Sequence, residues 1–308
     1  MALFFKKPGI GENRIENSGR WPVRLTQFQL VDDYEFPATN FPEIFFVRAG
    51  SFVHESEAGI QSLREGHAMM VHPGRGHSVR QPEEAVLVRV RFLPEWLACD
   101  YELIVRSPGI FSLFFDQSWL HHPREEKLHV FTTRGEGTAR VVAELDFLRD
   151  LLRERRQLEP VARIAVLKLM ALLADEHRRF WRGADEFDIP PAVVHALDQV
   201  ESCILRAEAF DPAKMPRGGF TKRALEKAFL SLAGMTLPEY ALRRRAFHAA
   251  FRLLATMEEP RRISKALGWP GVADFRTQFR SVFDVEPLVY REKFGIPSCG
   301  AGGLSQAQ

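Results

Sequence analysis

One stretch near the end of the chain constrains the fold more than any other: the segment 263–279, with the sequence ISKALGWPGVADFRTQF. Its first apolar residues predict a short helix that ends at Gly268, where glycine permits a sharp turn. Trp269 is expected to fill the space between this helix and a second one, in which Phe275 and Phe279 lie one turn apart. A short helix, a glycine turn and a second helix present one helix to a DNA groove, so the segment predicts DNA binding.

A similar unit precedes it in the segment 220–234, with the sequence FTKRALEKAFLSLAG. Thr221 is placed to cap a helix and Gly234 to end it, while leucine and phenylalanine recur along one face at helical spacing. The sequence TLPE then predicts the start of a long helix that carries Arg243–Arg245 and joins the two units rigidly. Two units on one connecting helix are expected to enter successive major grooves, about 34 Å apart.

The candidate DNA-contacting residues lie on the outward faces of the two recognition helices. Arg276 and Arg280 are one turn apart on the second helix, and arginine both recognises guanine O6 and N7 and binds phosphates. The alternative is that these residues form an ordinary solvated helix face. The predicted set is Lys222, Arg223, Glu226 and Lys227 in the first unit, and Gly271, Val272, Ala273, Arg276, Thr277 and Arg280 in the second.

The charge of the chain is divided unevenly between its two ends. From Asp211 to Phe294 there are 16 Lys and Arg against 9 Asp and Glu, whereas the remainder has 26 against 31. A basic module after an acidic one is typical of a protein that binds a polyanionic partner through one end only. The 308 residues are enough for two domains, and no apolar run approaches the roughly 18 residues that span a bilayer.

The N-terminal half is patterned for strands, from about Trp21 to Phe92. Residues 85–92 alternate, with valines on one face and a leucine and two arginines on the other. Residues 44–55 predict two short strands broken at Ala49-Gly50, and residues 66–79 predict a strand followed by a Pro/Gly turn. Several short strands at close spacing predict a small barrel or sandwich.

From Gly137 the apolar period becomes that of helices. The segment after Pro160 is apolar on most sides, so either its own sheet or a second subunit must cover it. The polar stretch Arg182–Pro191 predicts a domain boundary. We therefore predict an α+β protein of two domains: a β domain with trailing helices in residues 1–182, and an all-α module of two helix-turn-helix units in residues 192–294. The tail 295–308 is predicted to be disordered.

Four segments of the C-terminal module match a known pattern together: TKRALEKAFLSLAGMTLPEY, the helix ending AAFRLLA, ISKALGWPGVADFRTQF and FDVEPLVYR. Over about 85 residues, from Asp211 to Phe294, the module resembles the AraC/XylS family of bacterial transcription regulators. The last segment is similar to the family's closing F-G-x-x-P-x-x-Y-R pattern through Phe283, Pro287, Tyr290 and Arg291. The resemblance implies a DNA-binding module made of two helix-turn-helix units.

The chain departs from the family pattern most in the leading segment of the first unit, DPAKMPRGGF. Pro216, Gly218 and Gly219 stand where the family keeps a regular helix, which weakens the support of the first unit. We expect such departures to lower target affinity without changing the class of protein. Further departures are Ala246 and Thr277 in place of basic residues, Ser264 in place of alanine and Asp284 in place of glycine.

The N-terminal segment GHAMMVHPGRGH resembles the second motif of the cupin barrel, which implies an interior that binds a small effector or a catalytic metal. Glu43 and His77 could match two metal ligands, but Thr39 and Asn40 stand where histidines are expected. Two of four ligands do not hold a divalent ion tightly, so we predict no metal, no cofactor and no catalytic residues. The matching residues of the motif are Gly66, Pro73, Gly74, Gly76 and His77.

The candidate effector-binding residues combine guanidinium, carboxylate, imidazole and aromatic groups, which suit a polyhydroxylated or anionic ligand. Two alternatives stay open: Arg89 and Arg91 lie on the outer, solvated face of their strand, or His72 and His77 are plain turn residues. The predicted set is Glu43, Phe45, Arg48, His72, His77, Arg89 and Arg91.

Together these features predict a cytoplasmic, sequence-specific DNA-binding transcription regulator, such as an activator, controlled by a small effector for which a carbohydrate is one candidate. Double-stranded DNA and the effector are its expected partners, with a second copy of the chain as a homodimer and RNA polymerase as further ones. The competing hypothesis is a cupin-type metal-dependent enzyme, an isomerase or dioxygenase, with a helical appendage.

Overall fold

A computed structural model of the protein describes residues 22–107, 109–120, 129–153, 159–180, 189–215 and 218–295. Its N-terminal part is an antiparallel sheet followed by helices, and its C-terminal part is helical. The predicted α+β fold class is therefore confirmed. The predicted disordered tail lies almost wholly outside the described residues, as does most of the predicted domain boundary, and the division into two domains stays a prediction.

In the part of the chain that the structure describes, the sheet has seven strands with the order β1-β6-β3-β5-β7, while β2 pairs with β6 and β4 pairs with β3. Every pairing is antiparallel. Valine and phenylalanine are frequent in these segments, as expected of strands that pack on both faces. The strands are β1 Val23–Leu30, β2 Tyr34–Phe36, β3 Glu43–Ser56, β4 Gly59–Arg64, β5 His67–Val71, β6 His77–Phe92 and β7 His129–Thr132.

The third strand differs from the prediction of two strands broken at Ala49-Gly50, because it runs unbroken from Glu43 to Ser56. Its pairing with β6 shifts register three times between Val47 and Val53. Gly50 has φ +71°, and a Cβ there would overlap backbone carbonyls of β6. The glycine therefore bends the strand instead of ending it, because strands can continue through a bulge.

The two faces of the sheet carry separate apolar clusters. One face, here called the sheet interior, carries a cluster of buried apolar side chains, against which the partly buried Phe28 and Val130 pack. The opposite face packs against helices and belongs to a larger cluster that continues into the C-terminal part. The apolar sheet interior is made by Leu30, Phe36, Phe45, Val47, Phe52, Leu63, Met69, Val71, Val79, Ala85 and Leu87.

The helices after the sheet cover its outer face. The predicted apolar stripe of α3 is buried at Val141, Leu145 and Leu148. In α4 most apolar residues are buried, but Ile164 is 63% exposed. The elements are a 3-10 helix Pro94–Asp100, α1 Tyr101–Arg106, a π-helical turn Phe111–Phe115, α2 Asp116–Trp119, α3 Glu136–Arg153 and α4 Glu159–Phe180.

The C-terminal part contains both predicted recognition helices and the connecting helix between them. The helices predicted to recognise DNA, called the recognition helices below, are α6 and α9, and α7 is one continuous helix that joins their units. The elements are α5 Pro191–Leu205, α6 Lys222–Ala233, α7 Leu237–Ala255, α8 Pro260–Ala266, α9 Val272–Phe283 and α10 Pro287–Phe294. Within the described residues, no helix is long and apolar enough to span a membrane.

The connecting helix α7 packs closely against the 3-10 helix that follows the sheet. From α10, the Tyr290 hydroxyl donates to Glu95 Oε1 at 2.5 Å, and both residues are buried. Phe294 at the end of α10 meets Phe41, just before β3, with ring centroids 6.3 Å apart. One apolar cluster therefore runs through the helices of both parts of the chain.

Candidate DNA-binding face and effector site

The second helix-turn-helix unit is built as the sequence predicts, from α8, a turn and α9. Gly268 has φ +76°, and a Cβ there would overlap the Ala207 carbonyl, so the turn requires glycine. Trp269 is 5% exposed; its ring centroid lies 4.8 Å from that of Phe275, and its Nε1 donates to Gln278 Oε1 at 2.7 Å. The Trp269 amide also donates to the Ser264 carbonyl of α8 at 3.0 Å, so this residue joins α8 to α9.

The outward face of α9 is free of covering protein within the described residues. Arg276, Thr277 and Arg280 are exposed together with Ala273, while Gly271 and Val272 are half-buried at the start of the helix. The opposite face is buried through phenylalanines at three successive turns. All the predicted contact residues of this unit therefore lie on or beside one accessible face.

The first unit keeps its recognition helix but lacks a leading helix in the described residues. Thr221 caps α6 by accepting from the Ala224 amide at 3.1 Å, and Gly234 ends the helix at φ 62°. Between α5 and α6, the described residues form turns, with Gly218 and Gly219 both at positive φ. The irregular segment before α6 agrees with the departure from the family pattern, and weaker DNA binding by this unit stays a prediction. The predicted contact residues Lys222, Arg223, Glu226 and Lys227 are all exposed.

The two recognition helices correspond position by position. Each is 12 residues long, and α6 begins at Lys222 as α9 begins at Val272, so equivalent residues are 50 apart. In this register Trp269 corresponds to Gly219, and a Cβ at Gly219 would meet nothing within 4 Å. The first unit therefore lacks the aromatic side chain that joins the two helices of the second.

The three consecutive arginines of α7 are turned into the protein and are not offered to DNA. Arg244 is 1% exposed; its Nε donates to Glu201 at 2.9 Å, it also bonds the Ala98 carbonyl, and it lies 3.9 Å over the Trp119 ring. Arg243 donates to the Ser118 carbonyl at 2.8 Å. Arg245 is also buried and bonds the Glu208 carbonyl. These arginines hold α7 to the rest of the protein.

Glu201 of α5 organises the buried polar group beside Arg244. It also accepts from His248 Nε2 at 2.7 Å, and His248 Nδ1 lies 3.8 Å from Cys99 Sγ. Burial alone would raise the pKa of Glu201, but the charge of Arg244 and the hydrogen bond from His248 hold this pKa at about 2. Glu201 is therefore the counter-ion that allows Arg244 to be buried.

The sheet interior contains a buried charged group as well as apolar side chains. Arg89 and Arg91 are 12% and 15% exposed, and each approaches Glu43 Oε1, at 3.8 and 3.7 Å. The alternative that these arginines lie on the solvated face is therefore wrong. Burial raises the pKa of Glu43 against the pull of both arginines, and burial lowers the pKa of Arg91 to about 10. Arg89 also lies 4.8 Å over the Phe28 ring.

Two histidines meet in the sheet interior. His77 stacks on Phe36 with ring centroids 4.8 Å apart and an interplanar angle of 9°, and His54 lies 5.0 Å from His77. Burial lowers the pKa of His54 to about 4 and that of His77 to about 3, so both rings are neutral at neutral pH. Within the described residues their ring nitrogens have no hydrogen-bond partner. Such groups are suited to a polar ligand.

A pocket of about 500 Å³ opens beside His77, between β2, the end of β3 and the start of β6; it is called the mouth pocket below. Its wall offers two carboxylates, Glu35 and Glu55, which Arg80 bridges. Ser78 donates to Glu35 at 2.6 Å, which with Arg80 lowers the pKa of Glu35. The pocket thus combines hydroxyl, carboxylate and aromatic groups. Its lining is Glu35, Phe36, Pro37, Glu55, Ser56, Gly76, His77 and Ser78.

Arg48 does not belong with the predicted effector residues. It makes a two-pronged ion pair with Asp146 of α3, at 2.5 and 2.9 Å, on the outer face of the sheet. Strand alternation explains this placement, because Phe45 and Val47 point into the sheet interior and their neighbour points out. His72 is buried directly after β5, and Phe45 lies beside His77, with ring centroids 4.8 Å apart.

The donor set of the sheet interior does not fit a cupin metal centre. Glu43 faces two guanidinium groups, Thr39 and Asn40 replace the expected histidines, and the described residues contain no group of three or more His, Cys, Asp or Glu side chains placed to hold a metal ion. A buried carboxylate already paired with two arginines is a poor ligand for a cation.

Sequence reasoning missed His54 because the bulge at Gly50 reverses the strand phase. Alternation counted from Phe45 puts odd-numbered residues in the sheet interior, whereas Phe52 and His54 are the buried ones after the register shifts. Gly50 was the available signal, since glycine inside a strand pattern marks a bulge. The pocket residues Glu35 and Ser78 face each other across β2 and β6, a pairing that no local pattern encodes.

Neither the protein-family models nor the curated protein sequences gave a match to this chain. Among solved structures, the chain is similar to ToxT from Vibrio cholerae O395, with 14% identity over 88% of this chain and 97% of that chain at a TM-score of 0.43. It is also similar to wild-type ToxT of Vibrio cholerae strain SCE256 bound to an unsaturated fatty acid, with 14% identity, 92% and 98% coverage and a TM-score of 0.38.

A third similar structure is an AraC-type DNA-binding-domain transcriptional regulator from Chromobacterium violaceum, with 24% identity over 35% of this chain and 96% of that chain at a TM-score of 0.32. These likenesses concern the fold. The chain contains an antiparallel sheet followed by helices, with α6 and α9 on either side of the continuous helix α7. At these TM-scores the functional conclusion rests on the residues themselves.

Proposed function

We propose that this protein is a sequence-specific DNA-binding transcription regulator whose activity depends on a small molecule held by the sheet interior and its mouth pocket. The observation that carries the proposal is the face of α9, where Arg276, Thr277 and Arg280 stand exposed on a helix fixed by Trp269. A rigid helix with outward arginines suits base recognition in a major groove.

The two recognition helices contribute differently to this proposal. The face of α9 offers two arginines at one-turn spacing, which suit base edges or phosphates. On α6, Lys222, Arg223 and Lys227 are exposed beside Glu226, and Lys222 approaches that carboxylate at 3.7 Å. Lysine binds phosphate as a point charge, so α6 is suited to anchoring the backbone more than to base recognition.

The test is selection of bound sequences from a random pool of duplexes, followed by salt titration of the selected duplex. Arg280→Ala should weaken that complex about tenfold, and if Arg280 contacts a phosphate the slope of log K against log salt should fall by about one. Leu230, the equivalent residue of α6, is 53% exposed and supplies the matched control. Leu230→Ala should change the affinity by less than about twofold, since exposed apolar contacts at the surface contribute little.

An Arg280→Ala variant that binds as tightly as the parent would contradict the placement of α9 in the groove. If the parent chain does not bind duplex DNA even at low salt, the regulator proposal is wrong, because phosphate contacts bind most strongly at low salt.

The effector we propose is a small polyhydroxylated molecule, with a carbohydrate as the first candidate. The supporting observation is His77, which lines the pocket beside Ser78 and two carboxylates and whose buried ring nitrogens have no hydrogen-bond partner in the described residues, while Phe36 supplies an aromatic face. Sugars bind where hydrogen-bond donors and acceptors lie beside an aromatic ring. Arg89 and Arg91 lie deeper and would suit an anionic ligand instead.

Thermal unfolding with a panel of sugars, and with fatty acids as the anionic arm, tests the effector. A sugar at a hundredfold excess over its Kd should stabilise the protein by about 2.7 kcal/mol and raise its Tm. His77→Phe keeps the stacked ring and removes both nitrogens, so the shift should disappear. His67→Phe, a half-buried histidine that does not line the pocket, should retain it. A shift with fatty acids alone would contradict the carbohydrate proposal and favour the arginines.

The homodimer is proposed to form through α3 and α4. Phe147 of α3 is 49% exposed, and Val161 and Ile164 of α4 are 36% and 63% exposed, although these helices pack side by side. Apolar side chains on adjacent helices favour association with a second copy. Light scattering at several concentrations checks this, and a monomer at every concentration would contradict it. Contact with RNA polymerase, and activation as the output, stay predictions.

The competing function, a cupin-type isomerase or dioxygenase, has no supporting observation in the sheet interior. Its chemistry needs a bound divalent metal, and the Glu43 that would be a ligand is paired with Arg89 and Arg91. We therefore propose a non-enzymatic role. Metal analysis of the purified protein checks it, and a stoichiometric transition metal would favour the enzyme.

A further inference from the structure

We infer that Glu286 is a positioning residue for base recognition: it orients Arg276 so that the arginine recognises one guanine in the major groove. The inference rests on the proposed DNA-binding function and deepens it, because it names the pair of residues that sets a base preference. It also predicts that the preference is carried by the second helix-turn-helix unit and not by the first.

The ion pair between these residues engages the inner nitrogen of the guanidinium. Arg276 Nε donates to Glu286 Oε2 at 2.7 Å, and the two side chains are 58% and 35% exposed. A guanidinium has five N–H donors, and the four on the Nη atoms form the fork that fits guanine O6 and N7. A carboxylate at Nε leaves that fork available for a base while it restricts the rotation of a long side chain.

The place of Glu286 in the chain supports a role beyond local structure. It is the N-cap residue of α10, a position that favours Ser, Thr, Asp or Asn because their short side chains bond the first amides of the helix. The Glu286 side chain makes no such bond and extends to α9 instead. At the equivalent position of the first unit, Thr236 forms a full capping box with Glu239. The second unit therefore has an ion pair where the first has a cap.

The first unit has no counterpart of the pair. The residue equivalent to Arg276 is Glu226, which approaches Lys222 one turn earlier on the same helix at 3.7 Å. An exposed ion pair contributes little to stability, so stability alone does not account for the Arg276–Glu286 contact. Preorganisation of the Arg276 side chain does account for this contact. The side chain then loses its conformational entropy before DNA binds, and binding no longer carries that cost.

The experiment measures base discrimination at one position of the selected duplex. That position is the one where Arg276→Ala loses its preference when each of the four base pairs is tested. Glu286→Ala should reduce the preference for guanine there by about fivefold or more, since a misdirected guanidinium no longer makes a bidentate contact. Glu286→Gln keeps an oxygen that accepts from Nε, so it should retain a larger part of the preference.

Glu292→Ala is the matched control, because Glu292 is exposed on the same helix and its loss removes the same charge without touching Arg276. Glu292→Ala should strengthen binding to all four duplexes by one similar factor, since it removes a negative charge near phosphates. Glu286→Ala should strengthen binding by that factor only to the duplexes without the preferred guanine, because the guanine contact is lost in the preferred one. Only Glu286→Ala should change the ratio between base pairs.

Three results separate this inference from the proposed function. If Glu286→Ala keeps the base preference to within twofold, as Glu292→Ala should, the inference is overturned and the regulator proposal stands. If Arg276→Ala weakens every duplex equally, Arg276 is a phosphate contact and the inference is overturned in the same way. If the parent chain binds no duplex at low salt, the proposed function itself fails.

Discussion

The two recognition helices are alike in themselves and different in their support. Both have 12 residues and both end in a left-handed residue, Gly234 at φ 62° and Asp284 at φ 58°. In front of α9 stand a helix and a tryptophan that joins the two; in front of α6 stand turns and glycines. The comparison separates what forms a recognition helix from what fixes it in place.

A recognition helix forms when its apolar face is covered, whichever element covers it. Leu225, Phe229 and Ala233 of α6 are buried, and Phe229 meets Tyr240 of α7 with ring centroids 5.3 Å apart. In α9, Phe279 meets the equivalent Tyr290 at 5.4 Å. The two units thus differ in the elements that precede the helix and not in the existence of the helix, because amphipathic helices are stabilised mainly by packing.

The largest effect is expected for the side chain that only the second unit has. Trp269→Ala removes a buried ring that contacts Phe275, Gln278 and the Arg245 guanidinium, so the free energy of unfolding should fall by about 3–5 kcal/mol. Urea denaturation measures the loss, and hydrogen exchange should locate it in α8 and α9.

The matched variant is Gly219→Ala at the equivalent position. Its new Cβ meets open space, so only the cost of a non-glycine residue at φ +86° is expected, about 1 kcal/mol. Equal losses for the two variants would show that Trp269 does not support α9 as described.

A smaller but still large effect is expected for the element that supports the first unit. Glu201→Gln removes the counter-charge of Arg244, which is 1% exposed, and should cost about 3 kcal/mol. Hydrogen exchange should then rise first in α5 and α6, while α9 keeps its protection. Glu226→Gln, on the exposed face of α6, should cost less than about 1 kcal/mol.

The same carboxylate predicts a pH dependence. Its folded pKa of about 2 lies below the ordinary value of 4.5, so its contribution is complete above pH 4.5 and is lost as the pH falls towards 2. The difference in stability between the parent and Glu201→Gln should therefore shrink between pH 6 and pH 3. A difference that stays constant over this range would mean that the Glu201 charge is not the origin of the effect.

The helical part could be predicted well from the sequence because the signals that determine helices are local. The glycine turn, the caps at Thr221 and Thr236 and the phenylalanine spacing each act within a few residues, and each is present. The burial of the α7 arginines could not be read from the sequence, because it depends on Ala98 and Trp119, more than 100 residues away. The sequence analysis missed His54 for a different reason: a single bulge reverses which residues of a strand face inward.

The smallest effect concerns the left-handed residues that end the two helices. Asp284 adopts φ 58° where the first unit has Gly234, and glycine takes this conformation without the strain of a Cβ. Asp284→Gly should therefore stabilise the protein by about 0.5–1 kcal/mol, while Gly234→Asp should destabilise it by a similar amount, as measured by urea denaturation. Shifts of opposite sign and similar size would mean that the two helix ends are equivalent. A loss for both variants would break the comparison at this point, because Asp284 would then contribute something that glycine cannot replace.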